Sequence, residues 1–180
     1  MRLLLVDDHP TMRACIRALL RSIPAAEVVA EAASGEEALV LARGLRPDVV
    51  LMDVCMKGMN GIEATRVIRR ELPEVRVMAL SHHLDVDYVL AAFRAGACGY
   101  VPKSAAGAEM ESALAALERG ETYFSPSIPR GDFESRALLV AKRTESLARR
   151  LRDIPALAAG ARSLGEASRE FITRITVEAS

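Results

Sequence analysis

Cysteine is scarce in this 180-residue chain, with three residues at positions 15, 55 and 98. The number is odd, the residues lie far apart, and no C-x-x-C spacing occurs. The pattern favours free thiols in a reducing cytoplasm over a disulfide framework or a zinc site. Long hydrophobic runs are also missing. The apolar run from Leu3 to Val6 ends at Asp7, too soon for a signal peptide, and no stretch approaches membrane-spanning length. A soluble cytoplasmic protein without membrane attachment is therefore expected. Net charge is absent as well, 24 basic residues facing 24 acidic ones. The balance differs along the chain, with 14 Lys/Arg against 17 Asp/Glu up to Thr122 and 10 against 7 from Tyr123 onward. A mildly basic back end is compatible with nucleic-acid contact there. No G-x-G-x-x-G follows the first apolar run, which excludes a dinucleotide-binding enzyme of that type.

The chain is 51% apolar, enough for a packed core in one ordinary domain plus a small appendage. Short aliphatic runs at 2–6, 27–31, 48–52, 76–80 and 99–101 read as strands. Between and after them, residues 11–22, 35–44, 61–72, 86–95 and 105–119 repeat apolar positions three and four apart, as helices do. Ser34 with Glu37 has capping-box spacing. Gly44, Gly96 and Gly120 stand where helices should stop. Five strands, each followed by a helix, predict a parallel, doubly wound α/β sheet. After Gly120 the texture changes. Pro126 and Pro129, flanked by Ser125, Ser127 and Gly131, mark a linker, and from residue 133 the chain has helical propensity.

The stretch LLLVDDHP poses a physical problem. Four apolar residues run directly into Asp7 and Asp8, two like charges at the end of a buried strand. In an open α/β sheet, ligands sit beyond the carboxyl ends of the strands. Asp53 ends the third strand, Ser81 the fourth and Lys103 follows the fifth in GYVPKSA. If the first and third strands are neighbours, three carboxylates converge beside a hydroxyl and an ammonium. Such a cluster wants a hard divalent cation with oxygen ligands, Mg²⁺ above all. With its charge offset, Asp53 stays ionised as a nucleophile toward a phosphoryl group. Lys103 and Ser81 then serve as donors to the phosphoryl oxygens. Asp53 is followed by Val54 and Cys55 rather than the D-x-D-x-T of haloacid-dehalogenase-type phosphatases, so no enzyme of that class is expected. His82 and His83 lack a third metal ligand.

Asp7-Asp8, Asp53, Ser81 and Lys103, with Tyr100 three before the lysine and the string DVCMKGMNGIEATRVIR, resemble the receiver domain of bacterial two-component response regulators. DDHP, GMNG and GYVPKSA resemble the NarL/FixJ (LuxR-type) group in particular. The resemblance covers about residues 1–122 and implies a five-stranded, flavodoxin-like receiver fold. It also implies phosphorylation of Asp53 by a sensor histidine kinase or small phosphodonor. Mg²⁺ would be held by Asp8, Asp53 and the backbone carbonyl of Cys55, with Asp7 reaching it through water. Ser81 and Tyr100 would be switch residues that move together, and a homodimer would form on phosphorylation. Two positions depart from the family pattern. Lys57 stands where proline is usual, and His82 where a small residue is usual.

Residues 123–146 are expected to be a linker and 147–180 a small helical segment. From Leu147 the sequence LARRLRDIPALAAGARSLGEASREFITRITVEAS resembles the opening half of a LuxR-type helix-turn-helix. Arg162, Arg169, Arg174 and Thr176 are the candidate DNA contacts. Pro155 falls inside the would-be first helix, where it costs about 3 kcal/mol unless the helix kinks, and Gly165 weakens the second. The recognition helix reaches only to Ser180, about seven residues or roughly 10 Å. Weak DNA binding with little sequence preference is the expectation. The functional reading is a phosphorylation-controlled transcription regulator. The alternative is a receiver that acts through protein partners only.

Overall fold

The computed structural model describes residues 1–128. Six parallel strands lie in the order β2-β1-β3-β4-β5-β6. They are β1 (Arg2–Val6), β2 (Glu27–Ala32), β3 (Val49–Asp53), β4 (Arg76–Ser81), β5 (Gly99–Pro102) and β6 (Tyr123–Phe124). The helices are α1 (Pro10–Leu20), α2 (Gly35–Leu45), α3 (Gly61–Glu71), α4 (Val86–Arg94) and α5 (Ala106–Glu118), with one 3₁₀ turn at Lys103–Ala105. Successive side chains of a strand point to opposite faces, so the run LLLV feeds two cores. Leu3 and Leu5 pack with Leu51, Leu80 and the apolar faces of α1 and α5. Leu4 and Val6 pack with Val50, Met52 and the apolar faces of α2 and α3. Each fully buried leucine stabilises the fold by about 1.5–3 kcal/mol. This explains why these strands are apolar throughout instead of alternating.

The helix ends follow local chemistry, with one exception. Ser34 Oγ accepts the Glu37 amide at 3.2 Å, and the Glu37 carboxylate accepts the Ala33 amide at 2.7 Å. Gly96 and Gly120 end α4 and α5 with positive φ, as expected. Gly44 does not stop α2. The helix runs through it to Leu45, and Arg46 takes the left-handed position at φ 43° instead. In that position Arg46 pairs with Glu74 at 2.6 Å, while the Arg2 side chain donates to the Leu45 carbonyl at 2.8 Å.

The sheet exceeds the expected five strands by β6, whose Tyr123 and Phe124 pair with Gly99 and Tyr100. Residues 123–128, expected as the start of a linker, are thus folded onto the first compact unit, which ends at Ile128. Ser125 and Ile128 are buried. The Glu109 carboxylate on α5 accepts hydroxyls from Tyr123, Ser125 and Ser127 at 3.3, 3.0 and 3.1 Å. Burial, followed by the Glu109 charge, raises the Tyr123 phenol above its usual range. Phe124 stacks on Phe93 of α4 with ring centroids 6.0 Å apart. The rest of the expected linker and the helix-turn-helix segment, with Arg162, Arg169, Arg174 and Thr176, lie outside the described residues. Among the described residues, no helix is long and apolar enough to cross a membrane.

Candidate functional site

Strand order reverses between β1 and β3, where the chain leaves β1 to one side for β2 and crosses back to β3 on the other. That switch point opens a crevice at the carboxyl ends of the strands. Val6 is paired with Met52, so Asp7 and Asp53 each lie one residue beyond the same rung. Asp53 is in turn aligned with Leu80, which puts Ser81 one residue further along β4. Ser81 is paired with Pro102, and Lys103 follows it. Parallel register alone therefore gathers Asp7, Asp53, Ser81 and Lys103 at one edge.

Lys103 Nζ lies 2.7 Å from Asp7 Oδ2 and 2.8 Å from Asp53 Oδ2. All three side chains are almost fully buried. Removing such charges from water costs several kcal/mol per ion, which attraction offsets only at close contact. Two carboxylates share one ammonium, so this buried group retains a negative charge. Burial raises the Asp53 carboxyl above its usual range, with Lys103 pulling in the opposite direction. Asp53 Oδ1 also accepts the Cys55 amide at 3.3 Å. Asp8 is less deeply set. Its Oδ2 accepts the Lys57 amide at 3.3 Å, while its Oδ1 is buried and takes part in no aligned hydrogen bond. One atom each from Asp7, Asp8, His9 and Asp53 lie within 4.8 Å of one another. Opposite ligands of a six-coordinate ion with bonds of about 2.1 Å sit roughly 4.2 Å apart, so this oxygen-rich group fits a hard divalent cation after a small contraction.

Gly61 sets how closely α3 approaches the end of β3. A Cβ there would fall 1.9 Å from the Asp53 carbonyl oxygen, so only glycine is tolerated without backbone movement. Asn60 caps the helix by accepting the Glu63 amide at 2.9 Å. The loop from Val54 to Asn60 is thereby held between β3 and a capped helix. Cys55 within it is largely exposed, yet the partial desolvation it does undergo, followed by the Asp53 charge, raises the thiol.

On the other side, Ser81 Oγ accepts the His83 amide at 3.0 Å. Tyr100 is fully buried, and its hydroxyl donates to the His83 carbonyl at 2.7 Å. Burial pushes its phenol up to about 12, against an opposing pull from the Ser81 hydroxyl. The His83 ring stacks on Tyr88 at 4.5 Å, and the exposed His82 follows Ser81.

Sequence reasoning missed three contributors. Arg13 on α1 donates to the Asp7 carbonyl at 2.6 Å and pairs with Glu31 at 3.0 Å. Gly61 was read only as part of a motif. His9 Nδ1 lies 2.8 Å from Asp8 Oδ1 and 3.7 Å from Asp7 Oδ1. Its signal was its place directly after the aspartate pair and before Pro10.

A doubly wound parallel sheet with three aspartates and a lysine at its switch point defines a signal-receiver domain. The family described as response regulator receiver domain matches residues 3–115, and the chain belongs to that family. Its relatives place it in the NarL/FixJ type. It is 44% identical over 127 residues to the response regulator GacA of Pseudomonas viridiflava, covering 71% of this chain and 59% of that protein. It is 38% identical over 181 residues to the transcriptional regulatory protein LiaR of Bacillus subtilis, covering 98% of this chain and 85% of that protein. The chain thus spans about three-fifths of the GacA length. A crystal structure of a LuxR-family two-component response regulator from Aurantimonas sp. SI85-9A1 superposes with a TM-score of 0.71 at 43% identity. That match covers 75% of this chain and 96% of the other.

Proposed function

We propose that this protein is a transcription regulator switched by phosphorylation of Asp53. The observation that carries the reading is the ammonium of Lys103 held between Asp7 and Asp53 at 2.7 and 2.8 Å. An Asp53 carboxylate oxygen attacks the phosphorus of a phosphohistidine on a sensor histidine kinase, or of a small acyl phosphate. A new P–O bond forms, the bond from phosphorus to the donor breaks, and the donor leaves with that electron pair. Lys103 then turns a hydrogen bond toward a phosphoryl oxygen. Ser81 donates its hydroxyl proton to another while still accepting the His83 amide, a charge-assisted bond worth about 1.5–3 kcal/mol. Tyr100, anchored on the His83 carbonyl, ties that loop to β5. Mg²⁺ is the cation that suits Asp8, Asp53 and the Cys55 carbonyl, with Asp7 reaching it through water, and when bound it would neutralise charge on the transferring group.

Intact-mass measurement after incubation with acetyl phosphate and Mg²⁺ tests this. One added phosphoryl group is expected on the wild type and none on Asp53→Asn. Stoichiometric labelling of the variant would refute the assignment. Similarity to the transcriptional regulatory protein LiaR along nearly the whole chain supports a transcriptional output, which we assign to DNA contact by a homodimer through the segment holding Arg162, Arg169, Arg174 and Thr176. Arginine contacts to phosphate give salt-sensitive attraction without a code. Binding is therefore expected to fall steeply with salt and to differ little between promoter and random duplexes. Nanomolar binding to one promoter alone in physiological salt would refute that expectation. No binding to any duplex would favour output through a protein partner.

A further inference from the structure

We infer that Glu36, in the first turn of α2 and outside the aspartate cluster, is a positioning residue for phosphoryl transfer, holding the loop at residues 54–60 against Asp53. The inference rests on the phosphorylation of Asp53 proposed above. It concerns what keeps the surroundings of that carboxylate in place.

Three alternate amides of the loop donate to carboxylates. The Cys55 amide reaches Asp53 Oδ1 at 3.3 Å, the Lys57 amide reaches Asp8 Oδ2 at 3.3 Å, and the Met59 amide reaches Glu36 Oε1 at 3.0 Å. The first two acceptors belong to the cluster that the reaction changes. Once an Asp53 oxygen carries the phosphoryl group, that carboxylate is an acyl phosphate and a weaker acceptor for the Cys55 amide. Glu36 takes no part in the bond changes, so its hold on the loop persists through them. Hydrogen bonds to an ionised acceptor are also the stronger kind, and the Glu36 and Met59 amides keep this carboxyl below the usual carboxylate range.

The local sequence explains why Glu36 can reach so far. Two adjacent glutamates serve different partners. Glu37 turns back and accepts the Ala33 amide at 2.7 Å, which fixes the start of α2. Glu36 is exposed and reaches sideways to the loop. Gly35 permits the approach, because a Cβ there would fall 2.5 Å from the Met59 carbonyl oxygen. At its base the loop is closed by the Gly61 amide, which donates to the Val54 carbonyl at 3.1 Å. Glu36 thus acts on the Met59 end, and through the short loop on the Cys55 amide that orients Asp53. A nucleophile displaced by about 1 Å can lose up to about a hundredfold in rate.

The test uses the full chain as wild type, Glu36→Ala, Glu36→Gln and Glu37→Ala. Phosphorylation by acetyl phosphate in Mg²⁺ is timed by intact mass, and hydrogen exchange of the loop amides is measured without phosphodonor. Glu36→Ala is expected to be phosphorylated about three- to tenfold more slowly, with faster exchange at Met59. Glu36→Gln keeps an oxygen acceptor and should stay within about twofold of wild type in both readouts. Glu37→Ala weakens the start of α2 without touching the loop, and should be phosphorylated at the wild-type rate. An unchanged rate in Glu36→Ala would overturn the inference. So would Glu36→Gln as slow as Glu36→Ala, which would mean that charge and not position matters. Equal slowing in Glu37→Ala would also overturn it, since helix stability alone would then account for the effect. Wild-type protein that takes up no phosphoryl group would overturn the underlying reading of Asp53 instead.

Discussion

Replacing Asp53 by asparagine should make the metal-free protein more stable at neutral pH while abolishing phosphorylation. Asp53 is 2% exposed and shares the single ammonium of Lys103 with Asp7. Asparagine leaves a one-to-one Asp7–Lys103 pair, removes the surplus buried charge and keeps nearly the same volume. Burying one carboxylate costs several kcal/mol, most of which Lys103 already offsets, so a gain of about 1–2 kcal/mol is expected from removing the surplus charge. For a chain of this size each kcal/mol raises Tm by about 2–4 °C. The pH dependence has a definite sign. Burial raises the folded-state pKa of Asp53 above its ordinary 3.8. The native state therefore holds this proton to higher pH than the unfolded chain does. The stability that protonated Asp53 allows is fully present below pH 3.8 and is lost as pH rises through the raised folded value. The advantage of Asp53→Asn should thus be small in acid, grow across that window and be constant above it. Magnesium should reverse the ordering. At a hundredfold excess over Kd, a ligand that binds only the native state adds about 2.7 kcal/mol, and the variant, short of one ligand, gains less. Urea unfolding followed by far-ultraviolet circular dichroism, in EDTA and then in Mg²⁺, measures each quantity. Wild type at least as stable as Asp53→Asn in EDTA at neutral pH would refute the reasoning, as would a gap that does not vary with pH.

Three further outcomes are expected. Gly61→Ala drives a Cβ into the Asp53 carbonyl and should cost about 1–3 kcal/mol in unfolding measurements, with slower phosphorylation by acetyl phosphate. Tyr100→Phe deletes the hydroxyl that reaches the His83 carbonyl and should cost about 1 kcal/mol, with faster hydrogen exchange in the loop between β4 and α4. Lys57→Pro removes the amide that Asp8 accepts at 3.3 Å, whereas Lys57→Ala keeps it. Only the proline variant should therefore shift the Asp8 carboxylate resonance in NMR spectra.

The receiver half was legible because its signals are local and repeated. Apolar runs ending in Asp7 and Asp53, helical spacing in between, and Ser34 with Glu37 each need only neighbouring residues to be read. Given a parallel sheet, the period of two and the crossover rule bring Asp7, Asp53, Ser81 and Lys103 to one edge. The tertiary structure decided what depends on residues distant in the chain. Gly44 looked like a helix stop by composition, but Arg46 takes that place beside Glu74 and the Arg2 side chain, 28 and 44 residues away. Tyr123 to Ile128 looked like a linker because Pro126 and the serines mark a break. They fold back because β5 offers an open edge and Glu109 offers acceptors to three hydroxyls. Lys57 broke the family pattern in the sequence, and only the fold showed that its amide reaches Asp8. Strand and helix identity follow from side-chain periodicity along the chain. Hydrogen-bond partners and helix ends depend on which distant groups share the same few ångströms, and only packing settles that.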